Sequence, residues 1–219
     1  MRIKNKHYYF IKKMYNRIVE IVHKNKIGHL GSCLTALPIL EHIYKNKNKN
    51  DIVILSSGHA GIALYAALEK YEGKDAEELY KKHGVHPNRD IENGIHVSTG
   101  SLGSGITIGV GYALADKTRD VHILISDGEC AEGSVWESLS YIHREKLTNC
   151  KVYVNVNGYS AYDTVDKLYL WFRLKVFNWR TSVWFTKNPN FEFLEGLQAH
   201  YHVISDEHKD IMTNKNNET

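Results

Sequence analysis

The stretch Val121–Trp136, VHILISDGECAEGSVW, decides how this chain is read. Its first five residues, interrupted only by His122, have the apolar character of a strand covered on both faces. The run stops at Asp127-Gly128-Glu129, and Glu132 follows, so three carboxylates fall within six positions. Gly128 lets the backbone turn sharply or approach a ligand. Like charges at that density repel unless a cation lies among them, and a hard metal ion is the economical explanation. A local explanation competes: Glu129 or Glu132 favours the start of the next helix, where Ser134 and Glu137 have the spacing of a capping box. The box accounts for Glu137 and leaves Asp127 unexplained.

Outward from this stretch the elements alternate. The pattern predicts a helix over Thr35–Tyr44, with Thr35 as N-cap and Pro38 still in the first turn. Strand Asp51–Ser56, helix Ala60–Tyr71 and a polar loop with Gly84, Pro87 and Gly94 follow. A short strand Ile95–Ser98 then leads through a glycine-rich turn into a helix ending at Ala115. Strand Val121–Ile125, helix Val135–Leu147 and strand Lys151–Asn155 complete the series. Strands separated by helices imply an α/β fold, a parallel sheet with helices on both faces, and such sheets bind ligands beyond the carboxyl ends of their strands. Asp127 stands at such an end.

At 219 residues and 42% hydrophobic, the chain is expected to form one domain over residues 1–219. Its parts are a basic N-terminal helix over 1–26, a core over 27–165, an aromatic-rich end over 166–205 and a polar tail over 206–219. A net charge of +3, with both signs mixed along most of the chain, implies no nucleic-acid partner. No apolar run approaches membrane-spanning length. The first 26 residues hold eight Lys or Arg against Glu20 alone. A targeting helix would look similar, but Ile11, Met14, Tyr15, Ile18, Val19 and Val22 recur at helical spacing, which predicts a helix docked on the core. Cys33, Cys130 and Cys150 form no CxxC pair, which argues for reduced thiols in a cytoplasm. The KNKNKN run at Lys45–Asn50 reads as a solvated turn. His122 and His143, on a strand and a helix, are expected to be structural, with nothing converging on them.

A second clue lies one helix and one strand later, in VYVNVNGYS at Val152–Ser160. Asn157 follows Asp127 by 30 residues, and the intervening elements return the chain to the same edge of the sheet. A carboxylate and an amide oxygen suit Mg²⁺ or Ca²⁺ and leave coordination positions for phosphate oxygens and water.

Asp127-Gly128, Glu132-Gly133 and Asn157 together resemble the thiamine-diphosphate motif, and VWESL after it narrows the resemblance to the transketolase family. GHLGS at Gly28–Ser32, ILSSGHAGIALYAAL at Ile54–Leu68, HPNRD at His86–Asp90 and VSTGSLGSGITIGVGYALA at Val97–Ala115 resemble that family's signatures in its own order. The resemblance covers roughly residues 14 to 165 and is specific as a set. It implies that Asp127, Asn157 and the backbone carbonyl of Tyr159 hold Mg²⁺. His59 would contact the diphosphate, Gly128 would lie against it, and Gly100, Ser101 and Leu102 would pass beside the cofactor. Glu132 would join a carboxylate network reaching a neighbouring chain. His29 and His86 would face the substrate's hydroxyls and the proton transfers at its carbonyl, and LEGLQAHYHVISDE at Leu194–Glu207 would add His200. The implied activity is transfer of a two-carbon ketol unit between sugar or sugar-phosphate substrates.

Departures accompany the resemblance. Ser126 stands where the family has glycine, and Asn155 where it has aspartate. FNW at Phe177–Trp179 runs into the strand-like TSVWFTK with too few residues for the helix expected between them. The family's pyrimidine-binding half is not found in the sequence. The chain is therefore expected to be the N-terminal subunit of a split transketolase, paired with a separate C-terminal subunit, two copies of each. Two other readings are a non-catalytic remnant and a dinucleotide-dependent oxidoreductase. The latter rests on Gly103, Gly105, Gly109 and Asp120 and leaves Asp127, Glu132 and Asn157 unexplained.

Overall fold

The computed structural model describes residues 2–160 and 163–214, and side chains within 12–160 and 163–213. Four strands, β1 (Ile52–Leu55), β2 (Val121–Ser126), β3 (Cys150–Val156) and β4 (Ser182–Phe185), form one sheet in that order, parallel throughout. Strand β2 is buried along its whole length, which is why its sequence lacks the polar alternation of a half-exposed strand. Alternate residues still serve different faces. Ile123 and Ile125 join Val152 and Val154 in one apolar cluster, whereas Leu124 belongs to the other. Each fully buried aliphatic side chain contributes roughly 1.5–3 kcal/mol.

Helices cover both faces, as the alternation implies. Helices α1 (Arg2–Lys24), α2 (Leu30–Asn46) and α3 (Gly61–Glu72) pack on the Leu124 side. Met14, Ile18, Val19 and Val22 of α1 are buried there, while Ile11 lies outside the described side chains. The other face carries α5 (Ser104–Ala115), α6 (Gly133–Arg144) and α7 (Lys167–Phe177). No helix among the described residues is long and apolar enough to cross a membrane.

The structure corrects several local expectations. Helix α2 starts at Leu30, so Thr35 is no cap; its hydroxyl donates to the Gly31 carbonyl, and Pro38 lies beyond the first turn. Burial of Leu30, Cys33 and Leu34 overrides the capping signal. Ile95–Ser98 forms no strand, because Ile95 pairs back onto Asp90 across the short turn Ile91–Asn93 and reaches no sheet neighbour. The polar loop contains α4 (Ala76–His83), capped by the Asp75 carboxylate, which accepts from the Glu77 and Glu78 N–H groups. Ser134 and Glu137 form no capping box. Glu132 is the N-cap of α6, and the Ser134 hydroxyl donates instead to the Gly103 carbonyl. As the short spacing implies, no helix lies between FNW and TSVWFTK; α7, which ends at Phe177, completes the β3–α7–β4 crossover. Within the expected tail, α8 (Asp206–Asn214) is helical and buries Met212.

Candidate functional site

Asp127 directly follows β2 and Asn157 directly follows β3, its neighbour in the sheet. The Asp127 carboxylate accepts from the N–H of Gly158 at 2.7 Å and of Gly128 at 3.1 Å, tying the two strand ends together. Asn157 Oδ1 accepts from the Tyr159 N–H at 2.9 Å. Asp127 is 3% exposed, and burial pushes its carboxyl up to about 6 against the effect of those backbone donors. Among the described residues its hydrogen-bond donors are backbone N–H groups, with no cationic side chain. A buried, oxygen-only donor set lacking a counter-charge suits a hard divalent cation.

Glu129 serves another purpose. It is fully buried and its carboxylate accepts from the Ser56 hydroxyl at 2.5 Å, the Gly103 N–H at 3.0 Å and the Ser126 N–H at 2.9 Å. One side chain thus joins the ends of β1 and β2 to the glycine turn before α5. Gly103 holds φ at 75° there, and a Cβ would come within 2.8 Å of the Glu132 side chain, so glycine meets both demands. Burial raises the Glu129 carboxyl as well. Its structural part was hidden in sequence among three neighbouring acids.

Asp127, Gly128, Asn157, Tyr159, His59, Leu102 and His200 line one cavity. His29 stands beside it, its ring 4.3 Å from that of His200 and 5.5 Å from that of His59. The Gly28–His29 turn is fastened to the distant aromatic-rich end by the His29 N–H, which donates to the His200 carbonyl at 2.9 Å. His29 itself adopts φ 62°, a left-handed conformation uncommon outside glycine. His86 lies against Gly100, where a Cβ would come within 3.2 Å of its ring. Burial, reinforced by the charges of His200 and His86, lowers His29 to about 4. Burial, then His29, His200 and His86, lowers His59 to about 3; burial lowers His200 too. These imidazoles are neutral at pH 7 and are able both to donate and to accept a hydrogen bond.

Other expected residues fall outside the cavity lining. Ser101 is exposed in the glycine turn, and Glu132 is exposed at the start of α6. Asn155 lines the cavity with both ends of its amide used: Nδ2 donates to Thr35 Oγ1 at 3.0 Å, and Oδ1 accepts from Thr186 Oγ1 at 2.5 Å. The hydroxyl network therefore accommodates an amide at this position. Asn188, beyond β4, also lines the cavity, and no sequence signal marked it.

At the opposite end of the strands, His122 is less isolated than expected. Ligand-capable atoms of His122, Asp51 and Asp120 lie within 4.8 Å of one another. The Asp51 carboxylate already accepts from the Asn48 and Asp120 N–H groups and pairs with His122 at 3.3 Å.

Fold and site define a cofactor-binding α/β domain, and the comparisons specify it. The family described as transketolase, thiamine diphosphate binding domain matches residues 9–182, and the chain belongs to that family. It is 31% identical over 176 residues to a subunit of the apulose-4-phosphate transketolase of Phocaeicola vulgatus, covering 71% of this chain and 62% of that protein. It is 30% identical over 159 residues to the 6-deoxy-6-sulfo-D-fructose transketolase subunit SqwG of a Clostridium species, covering 64% of this chain and 58% of that one. The matches thus span less than two thirds of either relative. Among solved structures, a transketolase variant from Pichia stipitis superposes with a TM-score of 0.81 over 95% of this chain and 40% of that one, at 21% identity. Campylobacter jejuni transketolase gives 0.74 over 99% and 43%, at 19% identity.

Proposed function

We propose that this chain, acting as one domain, is the diphosphate-binding subunit of a two-chain transketolase-like enzyme. It would work in the cytoplasm, where its three buried free cysteines stay reduced, and transfer a two-carbon ketol unit between sugar or sugar-phosphate substrates. The observation that carries this reading is the buried Asp127 carboxylate, met among the described residues by backbone N–H groups alone, in one cavity with Asn157, His59 and His200.

Asp127, the Asn157 amide oxygen and the Tyr159 carbonyl would hold Mg²⁺, or Ca²⁺ in its place. Gly128 and His59 would lie against the diphosphate, with Gly100, Ser101 and Leu102 beside the cofactor. Thiamine diphosphate, when bound, supplies the nucleophilic carbon of ketol transfer. The chain's own contribution is position and proton handling. Neutral His29 and His200, with rings in edge contact, are suited to donate to or accept from a sugar hydroxyl or carbonyl at the cavity mouth. His86, packed against Gly100, would be the third histidine of this set. Glu132, which is exposed, would reach a carboxylate of the second chain.

Two relatives are named as subunits, which supports a separate second chain; that chain would carry the pyrimidine-binding half, with two copies of each in the assembly. The test is to assay ketol transfer with Mg²⁺ and thiamine diphosphate by this chain alone and after mixing with candidate second chains. Activity is expected only in a mixture. Turnover by this chain alone overturns the two-chain reading.

A further inference from the structure

Helix α7 carries apolar residues on its outer as well as its inner face, with Lys167, Arg173 and Lys175 among them. Leu170 and Leu174 face the core, yet Leu168, Phe172 and Val176, spaced by four residues, form an outward stripe with Tyr169 beside it. With Trp171 and Trp179 these side chains are 41–76% exposed. With roughly 150–250 Å² for each of the four aromatic side chains, and Leu168 and Val176 added, the exposed parts present on the order of 700 Å². That exceeds the largest apolar patch of most monomers, roughly 300–600 Å², and approaches the ~800 Å² that one partner gives to a stable protein interface.

Charge narrows the occupant. Residues 163–187 hold five Lys or Arg against two Asp, a net +3 equal to the charge of the whole chain. A second copy docked about a two-fold axis would bring two net-positive faces together, a like-charge arrangement. Position narrows it further. Helix α7 grows out of the site loop: the Val165 N–H donates to the Gly158 carbonyl at 2.9 Å, and Lys167 packs over Gly158.

We infer that the outer face of α7 docks the second chain through an apolar patch bordered by acidic residues, so that one contact both joins the two chains and covers the metal loop. This rests on the two-chain reading above. The experiment uses the full chain and the second chain that restores ketol transfer. Phe172→Glu and Val176→Glu, separately, change exposed positions and should melt as the parent does. Each should weaken the complex at least tenfold by calorimetric titration, and amide exchange across 167–177 should slow on complex formation. Unchanged affinity in both variants, with an active parent complex, overturns the docking surface and leaves the two-chain reading standing. Failure of every candidate chain to restore activity overturns both. Protection of α7 in the chain alone, through self-association, assigns the face to a second copy and refutes the inference. So does binding of the chain alone to vesicles of anionic phospholipid that either variant abolishes.

Discussion

The same strands end in acidic clusters at both edges of the sheet, and the two clusters are electrostatic opposites. At the amino end, burial alone would raise Asp51, but the Asn48 and Asp120 N–H groups and His122 bring its carboxyl below the ordinary value. At the carboxyl end, burial outweighs the N–H groups around Asp127, and its carboxyl rises to about 6. The first cluster is complete within the chain. The second has backbone N–H donors but, among the described residues, no cationic side chain bonded to Asp127. A satisfied buried carboxylate stabilises a fold, whereas one held without a counter-charge costs stability that ligand binding returns.

The contrast is open to four tests, in order of expected effect. Asp127→Ala should raise the dissociation constant for thiamine diphosphate with Mg²⁺ by 100-fold or more in the assembled enzyme, roughly 3 kcal/mol, with little loss of fold stability. Calorimetry showing unchanged affinity would remove Asp127 from the metal site. Asp51→Ala should behave inversely, losing about 2 kcal/mol of stability by leaving buried donors without an acceptor and leaving cofactor affinity unchanged; urea unfolding beside cofactor titration checks both halves.

Next comes His200. His200→Ala should lower kcat/KM for the ketol donor about tenfold, or about 1.4 kcal/mol, with cofactor affinity near that of the parent. Equal steady-state kinetics would leave His200 a packing residue. The smallest effect is a difference in acid response. His29 and His59 have lowered pKa values in the fold, so the stability they carry is complete above pH 6.5 and is lost as pH falls toward about 4 and 3. Asp127 opposes them, because a raised carboxyl is relieved as pH falls from about 6 toward 3.8. The stability from Asp51 is lost only as pH falls below about 3.8. In an Asp127→Asn background, stability should therefore decline from pH 6.5 downward, and adding His29→Gln and His59→Gln should flatten that decline. An unchanged pH profile would show that these histidines do not resist protonation.

The alternation of strands and helices was legible because each element carries its own periodicity, and the parallel sheet follows from strands too apolar to face water. Asp127 and Asn157 were legible for a similar reason: each directly follows a strand, so register brings them together. Elements without a strong local signal were misread. Helix α4 hides in a polar segment and packs through Ala76 and Leu79, and Ile95–Ser98 has strand-like residues but no partner strand.

Local spacing determined the strands, the carboxylates at their ends and the family signatures, because those depend on near neighbours along the chain. Tertiary structure alone decided which acids are satisfied, which face of α7 stays bare, and that His200 meets His29 across 171 residues of sequence. Burial and cross-chain hydrogen bonds depend on contacts between distant segments, and nothing in the residues at either end of such a contact specifies the other.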